Sequence, residues 1–146
     1  MNNDYLITIA GKHTTDDNVE TISLTTFGDY GHRDGKDYIT YAETETTGYA
    51  GDITTVTLDG DRCATLERRG KTNSNLVMEK GQKHICHYET GYGNLTVGIR
   101  ADVIENLLSP DGGSVNLRYK LDLNSHTVST NELNITVKQH IAPRHA

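Results

Sequence analysis

The sequence predicts an all-β protein, a closed antiparallel up-and-down β-barrel of about eight to ten strands, and three observations lead to this prediction. Residues 114–124 alternate strictly between apolar and polar side chains, which is the period of a strand with one buried face. Only 34% of the residues are hydrophobic, but threonine and tyrosine, which suit half-buried strands, are numerous. The connections between apolar segments are short, so successive strands pair as hairpins.

Ten strands are predicted, separated by turn residues. They span residues 5–12, 19–27, 38–45, 53–58, 62–69, 73–79, 83–89, 94–103, 114–123 and 130–138. Asp59-Gly60 predicts a type I′ hairpin turn, because Asp and Gly readily supply the positive φ that both central residues need. Residues 80–81, 91–93, 111–113 and 124–125 predict further turns.

One stretch departs from this pattern. The apolar residues at 103, 104, 107 and 108 have nearly helical spacing, which indicates one helical turn over residues 102–109 before Pro110 ends it.

A barrel removes both edges of a sheet by closing on itself, whereas a β-sandwich, the competing architecture, needs longer crossings between sheets. Hairpins in sequence favour the barrel. The 146 residues fit one domain, residues 1–146, and residues 139–146 are expected to form a flexible tail.

Charge and cysteine content indicate a soluble cytoplasmic protein. Fourteen basic and twenty acidic residues give a net charge of −6 without a block of either sign, so neither nucleic acid nor an anionic membrane is an expected partner. No signal peptide is recognised, and no apolar stretch approaches the roughly 20 residues that span a bilayer. Cys63 and Cys86 are too few for a disulfide framework and are expected to be free, buried thiols.

Spaced residues along nearly the whole chain resemble the YwiB-like family of small bacterial proteins of unknown function. The matching positions are YITYAETE at 38–45, then 47–48, 51, 54–55, 68–70, 79–81, 88–90, 92–93 and 119–121. The chain departs from the family pattern at Met78, where an aromatic residue is common, and at Gly91, where proline is common. The resemblance implies a fold similar to the calycins, the lipocalin-like closed barrels. It implies no activity and no site residue, so every candidate site below comes from this sequence.

Arg68 is the first candidate. Alternation places it on the inward face of its strand, where a charge needs a partner, and Glu43 and Glu45 face inward on another strand. One hypothesis is a polar cluster inside the barrel that anchors an anionic or polar ligand group. The alternative, which the position near the turn favours, is that Arg68 lies at the strand end beside Gly70, with its head group in solvent or bonded to loop carbonyls.

Three tyrosines, Tyr41, Tyr88 and Tyr119, occupy strand positions that alternate with polar residues. Each has an apolar ring and a polar tip, so together they can line a cavity for an amphipathic molecule, or fill the core with their hydroxyls bonded to one another. The predicted ligand-binding residues are Tyr41, Glu43, Arg68, Tyr88 and Tyr119.

No metal, cofactor or catalytic residue is predicted. His84 and Cys86 share a strand face while His87 points away, and zinc would need further ligands that no second cluster provides. Neither Cys86 nor Cys63 has the base and orienting group that a nucleophile needs.

We therefore expect a non-enzymatic cytoplasmic barrel that binds a small molecule inside. The alternative is an interaction or structural protein with a side-chain-filled barrel, acting through an exposed edge or by self-association, so that a homo-oligomer is left open.

Overall fold

The computed structural model describes residues 4–44, 50–71, 73–90, 93–123 and 126–140, and within them the chain forms ten antiparallel strands. They are β1 (Tyr5–Thr14), β2 (Val19–Arg33), β3 (Lys36–Ala42), β4 (Ile53–Asp59), β5 (Cys63–Arg69), β6 (Ser74–Glu79), β7 (Lys83–Thr90), β8 (Gly93–Ser109), β9 (Gly112–Leu123) and β10 (His126–Gln139). Each strand pairs with its neighbours in the chain, and β1 pairs with β10 to close the barrel. This confirms the predicted up-and-down barrel. No helix long and apolar enough to cross a membrane occurs in the described part of the chain.

Two hairpins differ from their predicted form. The turn at Asp34-Gly35 was not predicted. The φ angle is 55° at Asp34 and 77° at Gly35, as a type I′ turn requires. At Asp59-Gly60 the hairpin is present, but the predicted turn type was wrong. Positive φ falls on Gly60, and the Arg62 N–H donates to the Asp59 carbonyl, which is the φ pattern of a type II′ turn.

The predicted helical turn at residues 102–109 was also wrong, because β8 continues to Ser109. The pairing of β8 with β9 shifts by one residue between Ala101 and Val103, a β-bulge that reverses the alternation. Beyond the bulge Ile104 is buried, whereas Val103 and Leu107 are exposed. The apolar residues whose spacing suggested a helix therefore lie on both faces of one strand.

The first two residues of the predicted tail, 139 and 140, belong to the barrel wall or bond to it. Gln139 pairs with Tyr5 at the end of β10, and the His140 N–H donates to the Asp4 carbonyl. The remaining tail residues, 141–146, lie outside the described ranges.

Aliphatic side chains fill one half of the barrel, which we call the packed half. Twelve of its inward side chains are at most 2% exposed, namely Ile7, Ile39, Val56, Leu58, Ala64, Met78, Ile99, Ala101, Ile104, Val115, Leu117 and Ile135. Hydrogen bonds tie its end together: the Tyr30 hydroxyl donates to the Ser109 carbonyl at 2.6 Å, and the Asn106 N–H donates to Asp61 Oδ1 at 2.8 Å. This end of the barrel is closed.

The opposite end, the open half, has walls of unequal height. All ten residues of β1 pair with both β2 and β10. Among the described residues, β3 pairs with β2 only from Gly28 to Arg33, so the β1–β2 hairpin rises beyond the end of β3. We call β9, β10, β1 and the upper part of β2 the tall wall, and β3 to β6 the short wall.

Candidate functional site

A cavity of about 790 Å³ lies in the open half, between the tall and short walls. Its floor is apolar and includes Ile9, Leu24, Leu66, Leu76 and Leu133. The volume falls within the roughly 300–1,000 Å³ of small-molecule sites, and an apolar floor with a few polar groups is their usual composition.

Inward positions become polar toward the open end of the barrel. In β3 the inward series runs from Ile39 to Tyr41 and then Glu43 just beyond the strand, and in β5 Leu66 is followed by Arg68. The change from apolar to polar inward side chains therefore coincides with the change from the filled to the open part of the barrel.

On the short wall, polar side chains form one row across neighbouring strands. Tyr41 is opposite Thr54, Thr54 opposite Arg68, and Arg68 opposite Ser74. All four line the cavity. Two of the predicted site residues, Tyr41 on β3 and Arg68 on β5, therefore lie in the same row, with only β4 between them.

Glu43 is the buried acid of this wall, with only 6% of its surface exposed. Thr54 Oγ1 donates a hydrogen bond to Glu43 Oε1 at 2.6 Å, and the Tyr41 hydroxyl also hydrogen-bonds to Glu43. Burial raises the pKa of Tyr41 far above its usual 10.0, and the Glu43 carboxylate raises it further, against a smaller opposing effect of Arg68. Tyr41 therefore stays protonated at neutral pH and holds the Glu43 carboxylate in place.

A second polar row lies on the tall wall. Glu20 is opposite His13, His13 opposite Asn131, and Asn131 opposite Tyr119, and all four line the cavity. His13 Nδ1 lies 2.5 Å from Asn131 Oδ1, and Asn131 Nδ2 donates to Ser129 Oγ at 3.0 Å.

Four of the five predicted residues, Tyr41, Glu43, Arg68 and Tyr119, line the cavity, the first three on the short wall and Tyr119 on the tall wall. Tyr88 pairs with Ser74 through its backbone, but its side chain lies outside the described residues, as does all of Glu45.

Sequence reasoning missed His13, Glu20 and Asn131. The alternation of β1 was the one signal for His13, because it places His13 on the same inward face as Ile7 and Ile9. The predicted strand, however, ended at residue 12. The register that brings Asn131 and Glu20 beside it is a property of the assembled barrel.

The His84–Cys86–His87 segment has a structural role. His84 Nε2 lies 3.3 Å from Glu79 Oε1, and His87 is exposed. Between the Ser74–Tyr88 pair and the Glu79–Gln82 bridge, the Val77 N–H donates to Cys86 Sγ at 3.4 Å instead of to a backbone carbonyl. The Cys86 thiol therefore occupies a gap in the β6–β7 ladder.

Both cysteines are free, as predicted, although Cys63 is only half-buried. Burial and the Glu79 carboxylate raise the pKa of the Cys63 thiol, which lowers its thiolate fraction. Over the described ranges, no three His, Cys, Asp or Glu side chains are grouped so as to hold a metal ion.

The family model described as "Domain of unknown function (DUF1934)" matches residues 7–135. The chain belongs to this family. The structure is similar to the crystal structure of the ywiB protein from Bacillus subtilis, with a TM-score of 0.80 and 20% sequence identity, over 94% of this chain and 92% of that one. This likeness shows the shared fold. No curated protein matches the chain.

Proposed function

We propose that this protein is a non-enzymatic binding module that holds a small amphipathic molecule in the open half of its barrel. The cavity of about 790 Å³ is the observation that supports this most strongly. Closed antiparallel barrels such as the lipocalins hold single ligands in this kind of space, and that architectural likeness supports the proposal by analogy.

Arg68 would anchor the ligand. A guanidinium can donate to Glu43 and to a ligand at the same time, because it has five N–H donors. A carboxylate or sulfonate on the ligand would accept a charge-assisted hydrogen bond from it, while the apolar part of the ligand would cover the floor formed by residues such as Leu66 and Leu76.

We also propose a cytoplasmic location without nucleic-acid or membrane partners. The free thiols Cys63 and Cys86 fit a reducing compartment, and the net charge of −6 gives nucleic acid no basic surface.

Self-association is the alternative function, and the outer wall supports it. Leu6 is opposite Phe27, and Ala42 is opposite Ile53, with Phe27 46% and Ile53 38% exposed. If these side chains form a homodimer contact, Phe27→Ser will shift the sedimentation coefficient to that of a monomer. Wild-type protein that already sediments as a monomer would remove this alternative.

Anilinonaphthalene sulfonate, an amphipathic anionic dye, tests the binding proposal. Its fluorescence should rise saturably with the wild-type protein, and Arg68→Gln should weaken the affinity roughly tenfold or more, since a hydrogen bond to a charged group contributes about 1.5–3 kcal/mol. Arg69→Gln is the matched control, because Arg69 is the next residue of β5, faces outward and pairs with Glu67. Arg69→Gln should leave the affinity unchanged.

Equal losses in the two variants would place the dye on the outer surface and contradict the proposal, as would a failure of the dye to saturate. Circular dichroism and thermal unfolding of both variants separate a lost contact from a lost fold. Arg68→Lys, which keeps the charge, should restore part of the affinity.

A further inference from the structure

The tall wall carries polar side chains that can bind a polar group of a ligand. Asn131 is 8% exposed, and it fixes the ring of His13 through the bond between His13 Nδ1 and Asn131 Oδ1. Because Oδ1 can only accept, Nδ1 carries a proton. In the neutral tautomer that this bond selects, Nε2 is the acceptor that His13 offers to the cavity.

Glu20 adds a negative charge beside this acceptor. It is directly opposite His13 in the β1–β2 ladder, and the Asn18 amide donates to its carboxylate at 3.1 Å. Among the described residues no basic side chain forms an ion pair with Glu20. Lys12, the nearest basic residue in sequence, is opposite Glu132 across the β1–β10 ladder.

The charged side chains that line the cavity also favour a cationic ligand group near Glu20. Among the described residues, two basic and four acidic side chains line it, namely Lys12, Arg68, Glu20, Glu43, Glu67 and Glu132. Glu67 pairs with Arg69, and Glu43 shares the short wall with Arg68. Glu132 lies near Arg118. Of these four described carboxylates, that of Glu20, at the mouth, is therefore the one available to a ligand cation.

We infer that the ligand is dipolar, with an anionic group on Arg68 of the short wall and an ammonium or similar cationic donor on Glu20 and His13 of the tall wall. An ammonium has three donors and no acceptor, which matches a carboxylate beside an imidazole nitrogen that can accept. This inference rests on the proposed function, since it names the chemistry of the ligand in the same cavity.

The dimensions of the barrel set the separation of the two groups. Ten strands about 4.8 Å apart and tilted by roughly 40° enclose a barrel about 20 Å across between backbones. The inward side chains of two facing walls leave a gap of roughly 10 Å, which a short alkyl chain with a charge at each end can bridge.

Three probes of equal chain length test the inference by calorimetric titration: octanoate, octylammonium and the ω-amino derivative of octanoate. The ω-amino acid should bind roughly tenfold more tightly than octanoate, because it makes one more charge-assisted contact. Glu20→Gln should remove this advantage, so that the ω-amino acid binds no more tightly than octanoate. Arg68→Gln should weaken octanoate and the ω-amino acid alike.

Asp17→Asn is the matched control, since it removes the same charge from the exposed β1–β2 connection, outside the cavity lining. It should leave the preference intact. If the ω-amino acid binds no more tightly than octanoate, or Asp17→Asn acts like Glu20→Gln, the dipolar ligand is wrong while the binding function stands. If none of the three probes binds, both proposals fail.

Discussion

The packed and open halves of the barrel share the same ten strands but use their inward positions differently. In β10, Ile135 is fully buried, and Asn131, four residues along the same face, is a hydrogen-bonded polar residue of the cavity wall. In β3, Ile39 is fully buried and Tyr41 begins the polar series that ends at Glu43. The packed half stabilises the barrel, and this allows the open half to carry polar groups and empty space at the cost of packing.

Ile135→Ala and Leu133→Ala compare the two halves directly and should show the largest difference. Ile135 is enclosed, so its truncation leaves a cavity and should lower the free energy of unfolding by about 2–5 kcal/mol. Leu133 borders the cavity, so its truncation should cost less, about 1–2 kcal/mol. Urea unfolding measures both, and equal costs would mean that the open half is packed as tightly as the other.

The two halves can also be compared by adding a methyl group at an inward-facing glycine in each. A Cβ at Gly28 would lie 2.2 Å from the Thr40 carbonyl oxygen and 2.5 Å from Ile7 Cδ1, whereas at Gly11 the nearest atom is Ile22 Cγ2 at 3.0 Å. Gly28→Ala should therefore cost about 1–3 kcal/mol, and Gly11→Ala should change stability by less than about 1 kcal/mol. Thermal unfolding of the two variants tests this, and a larger loss for Gly11→Ala would contradict it.

Tyr41 marks the boundary between the halves and gives a pH-dependent prediction. Because its folded pKa is raised, its contribution to stability is fully present below the unfolded value near 10.0 and is lost as the pH rises toward the folded value. In that window the stability should fall by about 1.4 kcal/mol per pH unit for this group, and Tyr41→Phe should make the fall shallower by that amount. An alkaline slope that Tyr41→Phe leaves unchanged would show that Tyr41 ionises normally.

Contacts on the outer face of the barrel should contribute least to stability. The Lys83–Asp122 ion pair is a test of this expectation. Lys83 Nζ lies 2.9 Å from Asp122 Oδ2, and this contact holds the pKa of Asp122 below 3.8. Lys83→Met should cost less than about 1 kcal/mol at neutral pH, and the loss should disappear as the pH falls through the lowered pKa of Asp122. A loss that persists in acid would come from the Lys83 stem, which covers Gly98.

The fold was predictable because alternation and tight turns are local signals. The strand at residues 114–123 and the hairpins around it follow from neighbouring residues alone. The bulge at Asp102 was not predictable, since one extra residue reverses the faces of a strand without any change in composition.

The candidate site was predictable on one wall only. Arg68 and Glu43 stood out because a charge at an inward position needs an explanation. His13 and Glu20 lie on the two sides of the β1–β2 turn, whereas Asn131 is far from both in the sequence. The β1–β2 and β1–β10 registers bring the three together. Register and wall height arise from the closed barrel, which no local pattern encodes.

Chemical-shift mapping of the amide signals during titration with octanoate tests the central difference between the halves most directly. The account predicts saturable shifts at residues of the cavity floor and walls, such as Leu66, Leu76 and Leu133, and none at Val56, Ile104 or Ile135 in the packed half. Shifts spread equally over both halves, or no saturable shift at all, would contradict it.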